Sequence, residues 1–306
     1  VVTNRAHHGN QIRLKASDKA LMAFNYFFVT LTALLMLYPI INILAVSLSN
    51  YYEYLKTPWM IIPRRLNVEA YKYVFRNASF WRSYANTIIV AGAGTLIGLG
   101  LTIITAYPLS RPMLRFKLLW MTIIIFTMVF NAGMIPNFLN IRNLGMYDSL
   151  WALILPGAFG AFNCILMLNF FKEIPASLTE AAEIDGASEP KILFGIVVPL
   201  SKSVIATIAL FLAVGYWNAY FSAQIYLKSS EKWPIALMLK EILLSASTKA
   251  LDAANDAAAM DQTENQLQTT TLQYACIIVS MVPIMCVYPF LQKYFAKGVM
   301  LGGVKG

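Results

Sequence analysis

Between Ile174 and Leu200 lies the chain's one long polar stretch with apolar runs of membrane-crossing length on both sides. Its side chains suit docking and load transfer, not covalent chemistry. Ser177 stands three residues before Glu180, the spacing of a capping box, in which hydroxyl and carboxylate satisfy each other's orphan N–H groups. Leu178, Ala181 and Ala182 then recur at helical spacing and give a short helix one small apolar face. Gly186 falls where a helix end needs a left-handed residue, with Asp185 before it and Ala187 after it. Ser188 and Pro190 suit the start of a second helix, expected to enter the membrane at Pro199. The expectation is a protruding helix–turn–helix knob.

Covalent chemistry finds no material. Both histidines, His7 and His8, sit side by side in the N-terminal tail, and no third ligand lies near them. No serine–histidine–acid set and no metal-ligand spacing is present, so the expected catalytic and metal sites are none. Without a G-x-x-x-x-G-K-[ST] phosphate loop, the chain is not expected to hold ATP by that route. Cys164, Cys276 and Cys286 fall inside apolar runs and are read as packing residues.

The elements that position the knob follow from composition. Of 306 residues, 58% are hydrophobic and only 13% charged, with a mean hydropathy of +0.59, which excludes an ordinary soluble domain. Six runs lack Asp, Glu, Lys and Arg: 20–52, 83–110, 118–141, 149–171, 203–227 and 265–292. A helix crossing the ~30 Å hydrocarbon layer needs roughly 20 residues, so each run predicts a transmembrane helix. The expected class is an all-α membrane protein with six transmembrane helices. The first run exceeds the apolar part of a secretory signal and is read as a retained helix.

The net charge of +9 is assigned to lysines and arginines flanking membrane helices, with no nucleic-acid partner expected. The short 111–117 loop carries Arg111, Arg115 and Lys117 and no acid, and short loops set orientation. It therefore predicts cytoplasmic N- and C-termini and a cytoplasmic knob. The expected layout is a tail over 1–19, a first helix over 20–52 with Pro39 as a bend, and an outer or interfacial segment over 53–82. A five-helix core over 83–296 follows, with an outer loop over 228–264 that is alanine-rich and helical, and a glycine-rich tail over 297–306.

Polar residues inside the runs are the candidate path for a solute. Asn131 and Asn163 serve either as interhelical hydrogen-bond partners or as the lining of a pathway. Tyr216, Trp217, Asn218 and Tyr220 offer flat apolar faces beside an amide, the combination that suits a sugar ring; an aromatic belt at the outer interface accounts for them equally. Gly92, Gly94, Gly98 and Gly100 predict close helix packing. No charged side chain lies inside any run, which argues against an ion-coupled carrier and for a neutral or large cargo. Energy for uphill transport must then enter through another protein, and the knob is the surface for it.

The stretch Glu180-Ala-Ala-Glu-Ile-Asp-Gly-Ala187, with Phe194 and Val198-Pro-Leu200 following, resembles the EAA loop of permease subunits in type I ABC importers. From about Asn86 onward the chain is similar to the carbohydrate branch of that family, of the maltose-permease second-subunit kind and the LplC/YtcP type. Asn143-Leu-Gly-Met-Tyr-Asp-Ser-Leu-Trp-Ala-Leu-Ile-Leu-Pro156, Asn169-Phe-Phe-Lys-Glu-Ile-Pro175 and Trp217-Asn218 support the likeness, and Ser203 departs from it where proline is common. The resemblance implies a multi-pass plasma-membrane subunit paired with a second homologous permease. It implies two ATPase subunits docked at the EAA loop, which themselves bind ATP and Mg, and an extracellular sugar-binding lipoprotein that delivers an oligosaccharide. Ser177, Glu180, Ala181, Ala182, Asp185, Gly186 and Ala187 would form the ATPase-coupling surface. A permease for another small solute such as a peptide is the alternative within that class; a channel or secondary carrier without an ATPase is the alternative outside it.

Overall fold

The computed structural model describes residues 16–255, 270–287 and 289, and among these no strand occurs. The His7–His8 tail, the end of the 228–264 loop and the 297–306 tail lie outside the described residues. The chain divides into two compact units, Val1–Val68 and Glu69–Gly306.

In the first unit, α1 (Ala16–Ser47) is one unbroken helix that contains Pro39, followed by α2 (Tyr51–Lys56). Apolar side chains such as Phe24, Phe27, Leu34 and Leu35 are exposed along α1, as a helix meant for lipid requires. Its C-terminal end is tied down by polar groups. The Asn42 amide donates to the carbonyls of Pro58 (3.0 Å) and Met60 (2.9 Å), and the Asn67 N–H donates to the Leu48 carbonyl at 2.7 Å.

The second unit is built around α4 (Ala78–Ser110), which is 33 residues and so about 50 Å long. Asn77 caps it, its Oδ1 accepting from the N–H groups of Ser79 (2.9 Å) and Phe80 (3.3 Å). That cap starts the helix five residues before the charge-free run and brings Arg82 into its first turns. One stripe of α4 is buried: Ser83, Thr87, Val90, Ala91, Gly94, Gly98, Thr102 and Ala106. The spacing is helical and the residues are small. Thr87 and Thr102 return their hydroxyls to the carbonyls of Ser83 and Gly98, which satisfies them against an apolar neighbour.

Around α4 stand α3 (Glu69–Arg76), α5 (Lys117–Val129), α6 (Met134–Asn143), α7 (Trp151–Ile154) and α8 (Ala161–Lys172). The polar segment folds as α9 (Ala176–Ile184) and α10 (Glu189–Leu200), and α11 (Lys202–Trp217) and α12 (Tyr220–Tyr226) come next. The unit closes with α13 (Ile235–Asn255) and α14 (Thr270–Val287). α4 packs chiefly against α11 and α8, and Cys164, Met167, Leu168, Ile208 and Leu212 fill the core between them. A smaller cluster, including Val74, Phe80, Ile235, Ala275 and Cys276, joins α3, the start of α4, α13 and α14.

The six expected transmembrane runs are not each one continuous helix. Among the described residues three helices are long and apolar enough to cross a membrane, and up to five if each of two bent pairs counts as one. The 118–141 run breaks between α5 and α6 with a 113° bend. There Gly133 adopts φ +90°, and its N–H donates to the Asn131 Oδ1 at 2.9 Å. The 149–171 run splits into α7 and the twelve-residue α8, about 18 Å long and too short to cross alone. The second helix of the knob does not straighten into the membrane at Pro199; α10 ends at Leu200 and the chain turns by 83° into α11. Absence of charge shows where lipid is tolerated. It does not show where glycine, proline and self-bonding asparagine interrupt the backbone.

Of the four glycines on α4, two serve close packing. A Cβ on Gly94 would lie 2.5 Å from the Tyr216 ring, and one on Gly98 would lie 3.0 Å from the Ala158 carbonyl oxygen. Gly92 and Gly100 have open space beside them.

Candidate functional site

The knob forms as helix, turn and helix, but its first cap differs from the expected one. α9 begins at Ala176 with Pro175 as its N-cap, and no side chain caps it. Ser177 therefore lies inside the first turn, where its hydroxyl cannot meet the N–H that a capping box supplies. Thr179 returns its hydroxyl to the Ala176 carbonyl at 2.9 Å instead. Helix entry is set by the backbone of Pro175, whose fixed φ the sequence pattern did not weigh.

The other end is as expected. Gly186 has φ +75°, the Ala187 N–H donates to the Ala182 carbonyl at 2.9 Å, and the Gly186 N–H donates to the Glu183 carbonyl at 3.0 Å. That pair of bonds is a Schellman closure, and it consumes carbonyls the helix end would otherwise leave orphaned. The residues beyond it, Ser188 and Glu189 with Pro190, start α10.

The structure divides the candidate coupling residues into two groups. Ala182 and Ala187 pack against the core. Ser177, Glu180, Ala181, Asp185 and Gly186 are exposed, and with them Leu178 and Ile184, the latter 86% exposed at the tip. The exposed face of α9 thus combines small residues, two exposed aliphatic side chains and carboxylates. Such a face fits a shallow groove with basic walls.

A cluster that the motif reading missed holds this knob. Arg111, the C-cap of α4, places Nη2 3.0 Å from Glu183 Oε1 and 3.1 Å from Glu189 Oε2. Its guanidinium lies over the Tyr107 ring, 5.3 Å from the centroid, and the Tyr107 hydroxyl donates to the same Glu189 carboxylate. The two glutamates flank the Gly186 turn, one on each helix. The signal was present in the sequence as opposite charge: a basic 111–117 loop and an acidic knob.

At the other end of α4 a second polar cluster ties the connecting segments together. Asp148 accepts from the N–H groups of Ser229 (2.9 Å) and Lys228 (3.0 Å), from the Ser229 hydroxyl (2.7 Å) and from Lys232 Nζ (3.0 Å). These donors, the Ser229 N–H foremost, hold the Asp148 carboxyl well below the usual carboxylate range. Asn86 on α4 donates to the carbonyls of Glu231 (2.8 Å) and Trp233 (3.3 Å), and the Ile235 N–H donates to Thr87 Oγ1 at 2.7 Å. A lowered carboxyl pKa stabilises the fold at pH values above the unfolded pKa, and that stability is lost as pH falls through the folded value. The stability of this corner in detergent is therefore expected to stay flat from about pH 8 to about pH 5 and to decline only below about pH 4. Asp148→Ala removes both carboxylate oxygens at once and is expected to cost about 1–3 kcal/mol, read as a drop in the temperature of half-unfolding.

The candidate path residues do not form one surface. Asn131 is exposed and spends its carbonyl on the Gly133 turn. Asn163 is half-buried on α8 beside Gly160, and among the described residues its amide makes no hydrogen bond. Tyr216 is buried, its hydroxyl donating to the Ile154 carbonyl at 2.8 Å, so it belongs to the core. Trp217 meets Tyr84 edge to face at 5.8 Å, and Asn218 closes α11 by donating to the Val214 carbonyl. Tyr220 is exposed beneath Lys240 Nζ. Tyr216 and Trp217 point about 100° apart on α11, Asn218 is its C-cap and Tyr220 opens α12, which is why four near neighbours in sequence have four surroundings.

The chain is similar to known proteins. The chain is 41% identical over 281 residues to the polygalacturonan/rhamnogalacturonan transport system permease protein YtcP of Bacillus subtilis, covering 92% of this chain and 96% of that one. It is 40% identical to Protein LplC of the same organism, covering 88% and 89%. In three dimensions it matches a chain of a bacterial ABC transporter involved in the import of the acidic polysaccharide alginate, with a TM-score of 0.81, 36% identity and coverage of 92% and 99%. A single family model, that of the inner membrane component of binding-protein-dependent transport systems, matches residues 94–301, the knob and both polar clusters nearly entire. The chain is a member of that family, a multi-pass membrane permease subunit and not itself an enzyme.

Proposed function

We propose that this chain is one of two homologous permeases in an ATP-driven importer that takes up an oligosaccharide handed over by an extracytoplasmic binding protein. The observation that carries the reading is the knob: a helix–turn–helix with an exposed acidic and aliphatic face, fastened to the longest helix of the bundle. A side chain as bare as Ile184 at such a tip is explained by a partner that covers it. Two ATPase subunits, which would bind ATP and Mg, fill that role, and this puts the knob and both termini in the cytoplasm. The Asp148–Lys232 cluster then faces outward, where a binding protein arrives. The saccharide cargo rests on the relatives, whose named cargoes are polygalacturonan, rhamnogalacturonan and alginate.

The test is to purify the chain from its native membrane with whatever accompanies it and to reconstitute the complex in vesicles. Recovery of a second permease and an ATPase, with ATP-dependent uptake of a labelled oligosaccharide, is the expected result. Recovery of the chain alone, as a homo-oligomer that passes solute without ATP, overturns the reading.

A further inference from the structure

We infer that Arg111 is the positioning residue through which the knob drives the bundle, so that the stroke enters by α4 and not by the chain that follows the knob. The inference rests on the importer reading above.

The knob has two mechanical routes into the bundle. The covalent one runs along α10, whose residues Leu193–Val197 form a wide π-helical stretch and which ends in an 83° bend at Ser201. A π stretch and a sharp bend are places where a helix yields. The second route is non-covalent: Glu183 and Glu189 on either side of Gly186 both reach one Arg111 nitrogen, and Arg111 is the C-cap of a 33-residue helix that runs as one element, with Pro108 in its last turn. α4 packs along α8 and α11, so displacing its end displaces the centre of the unit.

The partners are partly open to solvent, with the Glu183 and Glu189 side chains 49% and 59% exposed, while that of Arg111 is 19% exposed. Single exposed ion pairs add little to stability, so a stabilising role alone accounts poorly for the arrangement. Its geometry accounts for it better. A cation lying over the Tyr107 ring and held by two carboxylates through one nitrogen fastens both helices of the knob at their junction. Lysine at this place keeps the charge and loses the guanidinium's fixed fork of donors.

The experiment uses the reconstituted complex and reads the number of solute molecules imported per ATP hydrolysed. Arg111→Gln is expected to lower that ratio about fivefold or more while the ATPase stays bound, and Arg111→Lys to recover part of it. In a Cys286→Ser background, Arg111→Cys with Glu183→Cys is expected to lower the ratio equally, and a short bifunctional thiol reagent to restore it by remaking the link. An Arg111→Gln complex with a wild-type ratio overturns the inference. So does a crosslink that halts import, since it would show that the knob and α4 must part in each cycle. Should Arg111→Gln fail to fold, the crosslinked pair decides the question alone. A wild-type preparation with no ATPase bound overturns the importer reading itself, a result distinct from either.

Discussion

Gly186→Asp is expected to cut solute uptake sharply while leaving the chain in the membrane at close to its normal amount. At φ +75° a side chain is strained, and the cost for an ordinary residue is about 1–2 kcal/mol. No atom lies within 4 Å of where the Cβ would stand, so the cost is one of backbone conformation and not of collision. The turn relieves it by opening, which breaks the Ala187–Ala182 and Gly186–Glu183 bonds and swings Glu189 away from Arg111. The bundle itself, built on α4, α8 and α11, does not depend on that turn. Uptake per molecule should fall about tenfold or more, within the range of ordinary coupling energies. Gly186→Asn separates the two effects of aspartate, because asparagine tolerates the left-handed region without adding charge beside Asp185. It should keep more uptake than Gly186→Asp. Wild-type uptake in the aspartate variant would remove the turn from the mechanism.

Gly94→Leu should have the larger effect on the fold. Its Cβ alone would stand 2.5 Å from the Tyr216 ring, well inside contact distance. Tyr216 cannot easily yield. Its hydroxyl is bonded to the Ile154 carbonyl at 2.8 Å, and its ring passes close to Gly157. Forcing bulk into a packed site costs about 1–3 kcal/mol in typical cases, and here a buried carbonyl also loses its donor, for about 1 kcal/mol or more. The expected outcome is a chain that reaches the membrane in strongly reduced amount and melts early in detergent. Tyr216→Ala in the same background makes room and should restore part of the loss. If the double variant shows only the sum of the two single losses, close packing at Gly94 is not the cause.

The sequence by itself determined the class and the knob. A chain with long charge-free runs and few charges has no stable solution in water, so membrane residence follows from composition. The turn at Gly186 follows from the one residue type that accepts a positive φ at no cost, and the EAA pattern around it carried the family. These signals are local, and each is read from one continuous stretch of chain. Tertiary structure decided the rest. It set where the 118–141, 149–171 and 203–227 runs break, because bending depends on what a neighbouring helix supports, and apolar composition is the same in a straight and a broken span. It replaced the capping box at Ser177, since the N-cap stands two residues earlier, at Pro175, and such a shift changes which side chain meets which N–H. It turned Tyr216 inward under Gly94 and separated it from Trp217, Asn218 and Tyr220. Above all it brought Arg111 to Glu183 and Glu189, across 72 and 78 positions of chain. Opposite charges in two distant loops are legible one by one. That they meet is a property of how α4 ends beside the knob.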